Sequence, residues 1–569
     1  MGNIVVLKFG SSVLGSAADL PVAVDEIYRH VREGRRVVAV VSAFAGVTDR
    51  LVERANELGG PGDPFAYASL VGSGELESAA MLSLSLATHG IPARLLPPEQ
   101  FSLRAEGDPL DARPLDFDEL LLRRALATQS VAVVPGFVAH DAERRTVLLG
   151  RGGSDFTALF IAGRLGAECV LVKDVDGLYE RDPATPGPAP RRYSQVTWDE
   201  ALRVAGPLVQ PKTIRHAQAS RQSFRVTRAG AAHSTLVGPG PSRLEDAPVP
   251  APLRVVLLGL GTVGRGVYER LRAQPARYEV VRALVRDPAR HVASGIPAAL
   301  LSTQPWDVVA EDADVVIEAL GGEFPAADLL FAALLAGRHV VTANKAAVVA
   351  DRDRLAPFAT GTHPRLRLSA AVGGSLPVLE TLARADLPGR PVSLRGVLNG
   401  TCNFVLDRVA DGVSLADALA AAQAQGFAEP DPTDDVSGLD VERKLRLCAE
   451  FGLGHAPARA TRCGIDAALP AAEPGHVLRL VGSLRLVDDA LETRVTPRWL
   501  PADDFLAGAR NEENRAEILL DDGTVIRLAG KGAGRLPTTA AVIGDLCHLA
   551  RDDDASEALA PPASLAASG

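Results

Sequence analysis

The stretch "LRVVLLGLGTVGRGVYERLRA" sets Gly259, Gly261 and Gly264 in G-x-G-x-x-G spacing between an apolar run and a helical pattern. Few folds satisfy that string. A buried strand must feed a tight turn, and the turn must open a helix whose free N–H groups can take a pyrophosphate. The bare spacing is weak evidence, but in this strand-turn-helix context it signals a dinucleotide-binding α/β unit, with Thr262 and Val263 in the same turn. Further strands are expected in "YEVVRALVRDPAR", "DADVVIEALGG" and "GRHVVTANKAAV".

The chain starts afresh in the same manner at "NIVVLKFGSSVLG", far upstream. Between the two starts lies the seam "GPGPSRLEDAPVPAP", residues 238–252, where proline and glycine interrupt every periodicity. Both halves alternate short β-branched runs ("RRVVAVVSA", "SVAVVPGF", "ECVLVKDV") with Ala/Leu/Arg-rich helical stretches. That alternation predicts parallel sheets covered by helices. The halves are not copies, so the pattern reads as a fusion of two α/β units, as 569 residues require more than one core.

Composition excludes several classes. A net charge of −10 argues against a general nucleic-acid or anionic-membrane binder. No apolar run approaches the roughly 18 residues of a membrane span, and the start lacks the pattern of a secretory signal. The five cysteines are scattered without a C-x-x-C pair, which signals neither a disulfide framework nor a zinc site. A reduced, cytoplasmic protein is expected.

Lysine usage singles out positions for chemistry. Of 60 basic residues only Lys8, Lys173, Lys212, Lys345, Lys444 and Lys531 are lysine. A solvated ion pair accepts either cation, whereas a proton donor or a compact charge on phosphate favours lysine.

In the first half, "VVLKFGSSVLG" delivers Lys8, Gly10, Ser11 and Ser12 to a turn that can meet a phosphate. "LLGRGGSDFTALFIAGRLGAE" opens a helix near Phe156, with Arg151 suited to a carboxylate and Asp155 to an ammonium. "VLVKDVDGLYERDP" puts Asp174 and Asp176 at a strand's C-terminal end, the ligand edge of an open parallel sheet. With "VVSAFAGVTDRL", "GSGELESAAML", "VVPGFV" and "QPKTIRHAQAS", these motifs stand in an order that resembles the aspartate kinase catalytic domain of the amino-acid kinase family. The resemblance implies that Lys8 and the Gly10–Ser12 turn contact the transferring phosphate, and that Glu75, Arg151 and Asp155 hold aspartate. It also implies that Lys173, Asp174, Tyr179 and Lys212 line an ATP site, with magnesium bridging the phosphates. Ser11 stands where that family usually has a second glycine, a spelling closer to glutamate 5-kinase.

In the second half, Arg286 follows the second strand where an acid would serve the ribose of NAD, so NADP is favoured, with NAD kept open by Asp287. Lys345 follows Asn344 at a later strand end. In "GFAEPDPTDDVSGLDVERKLRLCAE", Asp440 and Lys444 are four apart and share a helical face. An exposed ion pair would explain that spacing, but the apolar residues around it indicate burial. Residues 253 to about 551 resemble homoserine dehydrogenase, on that stretch above all. The resemblance implies that Lys345 and Lys444 serve proton transfer and that Glu429 and Asp440 hold the substrate amino group, supported by Asp434. It implies further that "NGTCNF", with Gly400 and Thr401, shapes the substrate pocket, that Asn344 and Gly532 meet the cofactor, and that carbonyls of Val372, Gly374 and Leu376 offer a sodium site.

The expected architecture is an N-terminal amino-acid-kinase-like αβα sandwich (1–240), a linker (241–252), and a Rossmann NAD(P)-binding domain (253–375, completed by about 526–551). An α+β catalytic domain (376–525) and a flexible tail (552–569) complete it. The seam leaves no room between the halves for an ACT-type regulatory domain. The implied chemistry is ATP-dependent phosphorylation of aspartate and NAD(P)H-dependent reduction of aspartate semialdehyde to homoserine, in a homo-oligomer (dimer or tetramer). The alternative is a dehydrogenase alone, whose first half is a non-catalytic amino-acid or nucleotide-binding module.

Overall fold

The computed structural model describes residues 4–246, 251–360, 363–425, 427–467, 469–471, 473–488 and 490–559. The chain forms two compact units, one of residues 1–87, 92–249 and 550–569, the other of 88–91 and 250–549.

The first unit is organised by a nine-stranded sheet in the order Arg243–Glu245, Arg192–Thr197, Thr235–Gly238, Phe224–Arg228, Glu168–Lys173, Ile4–Phe9, Arg36–Val41, Val131–Pro135, Ala93–Leu95. Its central strands run parallel and are buried along almost their whole length, which is why they read as unbroken Val/Ala/Leu runs and not as alternation. Val6, Val38, Val134 and Leu171 pack with Leu159, Ile161 and Phe160 of the helix Gly153–Leu165 in one apolar core. That helix begins three residues before the expected Phe156, because Gly152 supplies the left-handed turn (φ +77°) that lets the backbone enter it. The strand Arg243–Glu245 pairs antiparallel with Arg192–Thr197, so part of the expected linker is an edge of this sheet. Residues 247–250 of that linker lie outside the described residues.

The second unit holds two six-stranded sheets. In the first, Leu301–Ser302, Tyr278–Leu284, Leu253–Leu258, Val315–Glu318, His339–Thr342 and Leu366–Arg367 are all parallel. Numbered within the sheet, their order is 3-2-1-4-5-6, the doubly wound nucleotide-binding arrangement. The second sheet, largely antiparallel, runs Arg459–Arg462, Ala490–Pro501, His476–Val487, Pro391–Val397, Glu513–Leu520, Val525–Lys531. The helices Gly400–Ala410 and Leu439–Leu447 pack on it through Val405, Val441 and Leu445. The strand Val525–Lys531, expected in the nucleotide domain, is an edge of this second sheet. Only the helix that follows, Arg535–Leu559, returns to the first, where Thr539 and Arg535 lie against Gly266. This helix extends into the expected flexible tail, of which 560–569 lie outside the described residues. No described helix is long and apolar enough to cross a membrane.

Candidate active sites

The three fingerprint glycines are required for three different reasons. A Cβ on Gly264 would sit 2.0 Å from the Gly259 carbonyl oxygen, so any side chain would force helix and turn apart. Gly259 has φ +99° with the Ala319 carbonyl 2.8 Å from a hypothetical Cβ. Gly261 has open space in front of it, which leaves its backbone free for a close ligand. Thr262 and Val263 begin the helix Thr262–Arg272 and line the same cleft. At its far end Arg286 is exposed, while Asp287 turns its carboxylate back to accept the Arg290 N–H (3.3 Å) and cap the helix Pro288–Ala293.

At the other end the cleft is closed by the signature segment. Asp440, 5% exposed, receives Lys345 Nζ on one carboxylate oxygen (3.0 Å) and Lys444 Nζ on the other (2.8 Å). Lys444 also donates to the Leu398 carbonyl at 2.6 Å. Burial alone would raise the Asp440 carboxyl, but the charges of Lys444 and Lys345 overcome it and hold it well below the usual range. In return Asp440 raises Lys345 above an ordinary lysine. Asn399 completes the group: its oxygen caps the helix Gly400–Ala410 through Cys402 N–H (2.8 Å), and its Nδ2 donates to Asp435 (2.7 Å) and Asp440 (2.9 Å).

The neighbouring carboxylates divide between this group and a separate ion pair. Asp434 lines the cleft paired with Arg443 at 2.5 Å and is 55% exposed; Asp435 is the carboxylate that joins the network. Asp440 itself lines the cleft and accepts from two ammonium groups and an amide, which fixes the two lysines relative to each other. Glu429 is exposed on the cleft wall. Thr401 donates to the Phe427 carbonyl at 2.7 Å, tying the helix start to the loop that carries Glu429. Gly400 has Glu512 Cα 2.7 Å from a hypothetical Cβ. Gly532 lies flush against the Asn514 amide. Asn344 uses its side chain internally, on Glu318, the Gly322 carbonyl and the Ala347 N–H. Lys531, which no motif explained, forms a rim ion pair with Glu512 at 2.9 Å. The Leu376 carbonyl accepts Val378 N–H at 2.8 Å, so one of the three oxygens proposed for sodium is already engaged.

The first unit assembles a second constellation. Lys8 and Lys173 end adjacent parallel strands and converge on Asp155, in the first turn of the helix Gly153–Leu165, at 2.8 and 2.9 Å. All three side chains are buried. Asp155, expected to hold a substrate ammonium, is engaged by both lysines and sets their spacing. Burial and the neighbouring Lys8 pull Lys173 down to about 8. Glu75 accepts the Ala43 N–H at 3.3 Å through one oxygen; its other oxygen is buried without a hydrogen bond, and burial pushes its carboxyl up to about 7. Lys212 pairs with Asp111 and donates to the Leu149 carbonyl at 2.9 Å. Tyr179 donates to Asp176 at 2.6 Å, and Asp176 also pairs with Arg192. Arg151, Ser11, Ser12 and Asp174 are exposed at the same strand and loop ends. Gly10 folds over Lys8, whose Nζ lies 2.7 Å from a hypothetical Cβ.

Comparisons with known proteins find matches to both units of the chain. Residues 3–223 match the amino acid kinase family, 259–368 the NAD-binding domain of homoserine dehydrogenase, and 377–547 homoserine dehydrogenase itself. The homoserine dehydrogenase of Neisseria gonorrhoeae is 32% identical over 320 residues, covering 53% of this chain and 73% of that protein. That of Pseudomonas aeruginosa is 33% identical over 318 residues, with the same coverage. A crystal structure of the Thiobacillus denitrificans homoserine dehydrogenase aligns at 33% identity with TM-score 0.47, covering 55% of this chain and 76% of that one. The family matches and the Neisseria gonorrhoeae and Pseudomonas aeruginosa relatives show that the chain belongs to the homoserine dehydrogenase family, with an amino acid kinase domain fused ahead of it.

Proposed function

We propose that the second unit interconverts L-aspartate 4-semialdehyde and L-homoserine with NADP(H), and that the first phosphorylates the side-chain carboxyl of L-aspartate with ATP. The observation that carries the dehydrogenase reading is the Lys345–Asp440–Lys444 bridge, set in one cleft with the fingerprint turn. A bound nicotinamide supplies or accepts the hydride. Lys444, fixed by two acceptors, keeps its third N–H for the substrate oxygen, giving it a proton as the carbonyl becomes an alcohol and recovering it in reverse. Lys345 adds positive charge where negative charge develops on that oxygen. Glu429 and Asp435 take the substrate ammonium. NADP is preferred because Arg286 is free for a 2′-phosphate while Asp287 is spent on a helix cap.

In the kinase unit Lys8, the Gly10–Ser12 turn, Lys173 and Lys212 would hold the phosphates of magnesium-ATP. Lys8 and Lys173, spaced by Asp155, neutralise charge on the moving phosphoryl group without a covalent intermediate. The unsatisfied Glu75 carboxyl and exposed Arg151 would take the two ends of aspartate. Steady-state reduction of the semialdehyde with NADPH tests the first activity. Hydroxamate trapping with ATP, magnesium and either aspartate or glutamate tests the second; no product with either acid would leave the first unit a binding module.

A further inference from the structure

Glu318 ends the strand Val315–Glu318, under the cleft, and is fully buried. Its hydrogen-bond donors are all neutral. Leu320 N–H (2.7 Å) and Asn344 Nδ2 (3.3 Å) reach one carboxylate oxygen, and the Thr342 hydroxyl (2.5 Å) reaches the other. Burial raises its carboxyl above the ordinary range. An apolar side chain here would avoid that desolvation cost, so the carboxylate needs a reason in what it holds.

It holds two segments at once. One is the loop after the strand, whose Gly321 and Gly322 are left-handed (φ +85° and +77°) and which lines the cleft. The other is the start of the helix Lys345–Ala350. Thr342 relays the contact, accepting Asn344 N–H (3.0 Å) while donating to Glu318. Asn344 closes the circuit: its Nδ2 reaches both Glu318 and the Gly322 carbonyl (2.8 Å), and its oxygen caps the helix through Ala347 N–H (3.2 Å). Lys345, the first residue of that helix, is the residue whose ammonium crosses to Asp440.

We propose that Glu318 is a positioning residue that locks Lys345 to the glycine loop of the nucleotide cleft, so that the ammonium and the cofactor floor keep one fixed relation. This rests on the role given to Lys345 above. Glu318 touches neither substrate nor cofactor; it acts through Thr342 and Asn344, where a displacement of about 1 Å can cost up to about a hundredfold in rate.

Glu318→Gln keeps the shape but turns an amide N–H toward Thr342, which can then no longer donate there. We expect kcat to fall at least about tenfold with the KM for NADPH changed less than about threefold, because the fingerprint turn is untouched. Thr342→Val, a milder change in case the first variant does not fold, should lower kcat about threefold or more in the same pattern. Wild-type kcat in folded Glu318→Gln and Thr342→Val would overturn the proposal. So would a parallel fall of kcat, NADPH affinity and melting temperature, which marks a merely structural residue. Lys345→Ala separates the two levels. Full turnover in that variant would remove the role of Lys345 and this proposal with it; an inactive Lys345→Ala beside a normal Glu318→Gln removes the coupling alone.

Discussion

Lys345 reaches Asp440 across the cleft at 3.0 Å, joining the nucleotide-binding sheet to the signature helix through one buried carboxylate. The same carboxylate holds Lys444 one helical turn along, at 2.8 Å. Two cations thus share one anion, and the remaining positive charge faces the cleft.

Asp440→Asn leaves both ammonium groups without their anion while preserving size and the Asn399 contact. Breaking a buried pair in this way costs about 3 kcal/mol of stability, and the freed lysines lose their positions. We expect turnover to drop at least about a hundredfold. The folded carboxyl lies below its unfolded value, so its stabilisation is complete above about pH 4 and fades as pH falls further. Urea denaturation at pH 7 and near pH 3 should show the wild-type advantage at the first and its decline at the second.

Lys444→Arg keeps the charge and the ion pair but replaces an ammonium that can donate a proton with a guanidinium that does not give one up. Turnover should fall at least about a hundredfold, while NADPH binding followed by nucleotide fluorescence stays within about threefold of wild type. Near-normal turnover in the folded variant would reduce Lys444 to an ion-pair partner.

The parts of this site that were legible in the amino-acid order are those fixed by local rules. Gly259, Gly261 and Gly264 announce a turn because only glycine fits it, and Asp440 with Lys444 announces a helical face because four residues make one turn. The strands "VVAVV" and "VLLGLG" were legible because parallel strands buried on both faces must be apolar throughout. Long-range partners were not. Asp434 and Asp435 are adjacent, and only the fold decides which meets Asn399, 36 residues away, and which meets Arg443. Nothing local shows that Lys8 and Lys173 arrive from two separate strands to meet on Asp155. Strand Val525–Lys531 was assigned to the wrong sheet for the same reason, since register with Glu513–Leu520 is a tertiary fact.

Cofactor preference should turn on Arg286. Its replacement by alanine removes a charge-assisted contact to a 2′-phosphate and should raise the KM for NADPH about tenfold or more, with that for NADH changed less than about threefold. Asp287 cannot compensate while it caps the helix Pro288–Ala293. Steady-state kinetics with both cofactors at saturating semialdehyde reads the ratio. Equal changes with NADPH and NADH would show that Arg286 does not meet the 2′-phosphate.

In the kinase unit Glu75 and Lys173 bracket a narrow working range. Glu75 must lose its proton to hold an ammonium, which happens above about pH 7, and Lys173 must keep its proton to hold phosphate, which it does below about pH 8. The kcat/KM for aspartate should therefore be bell-shaped with its maximum between these values. Glu75 also carries a stability signature. Its folded carboxyl is raised from 4.5 to about 7, so burying it ionised destabilises the fold. The penalty is absent below about pH 4.5, grows between there and 7, and is complete above 7, at about 3 kcal/mol. Glu75→Gln should accordingly melt higher than wild type at pH 8 and within a degree or two of it near pH 4.5, while losing most of its affinity for aspartate above about pH 7 and converging on wild type below it. A variant that is equally stable at both pH values would place the Glu75 carboxylate in contact with water or a cation.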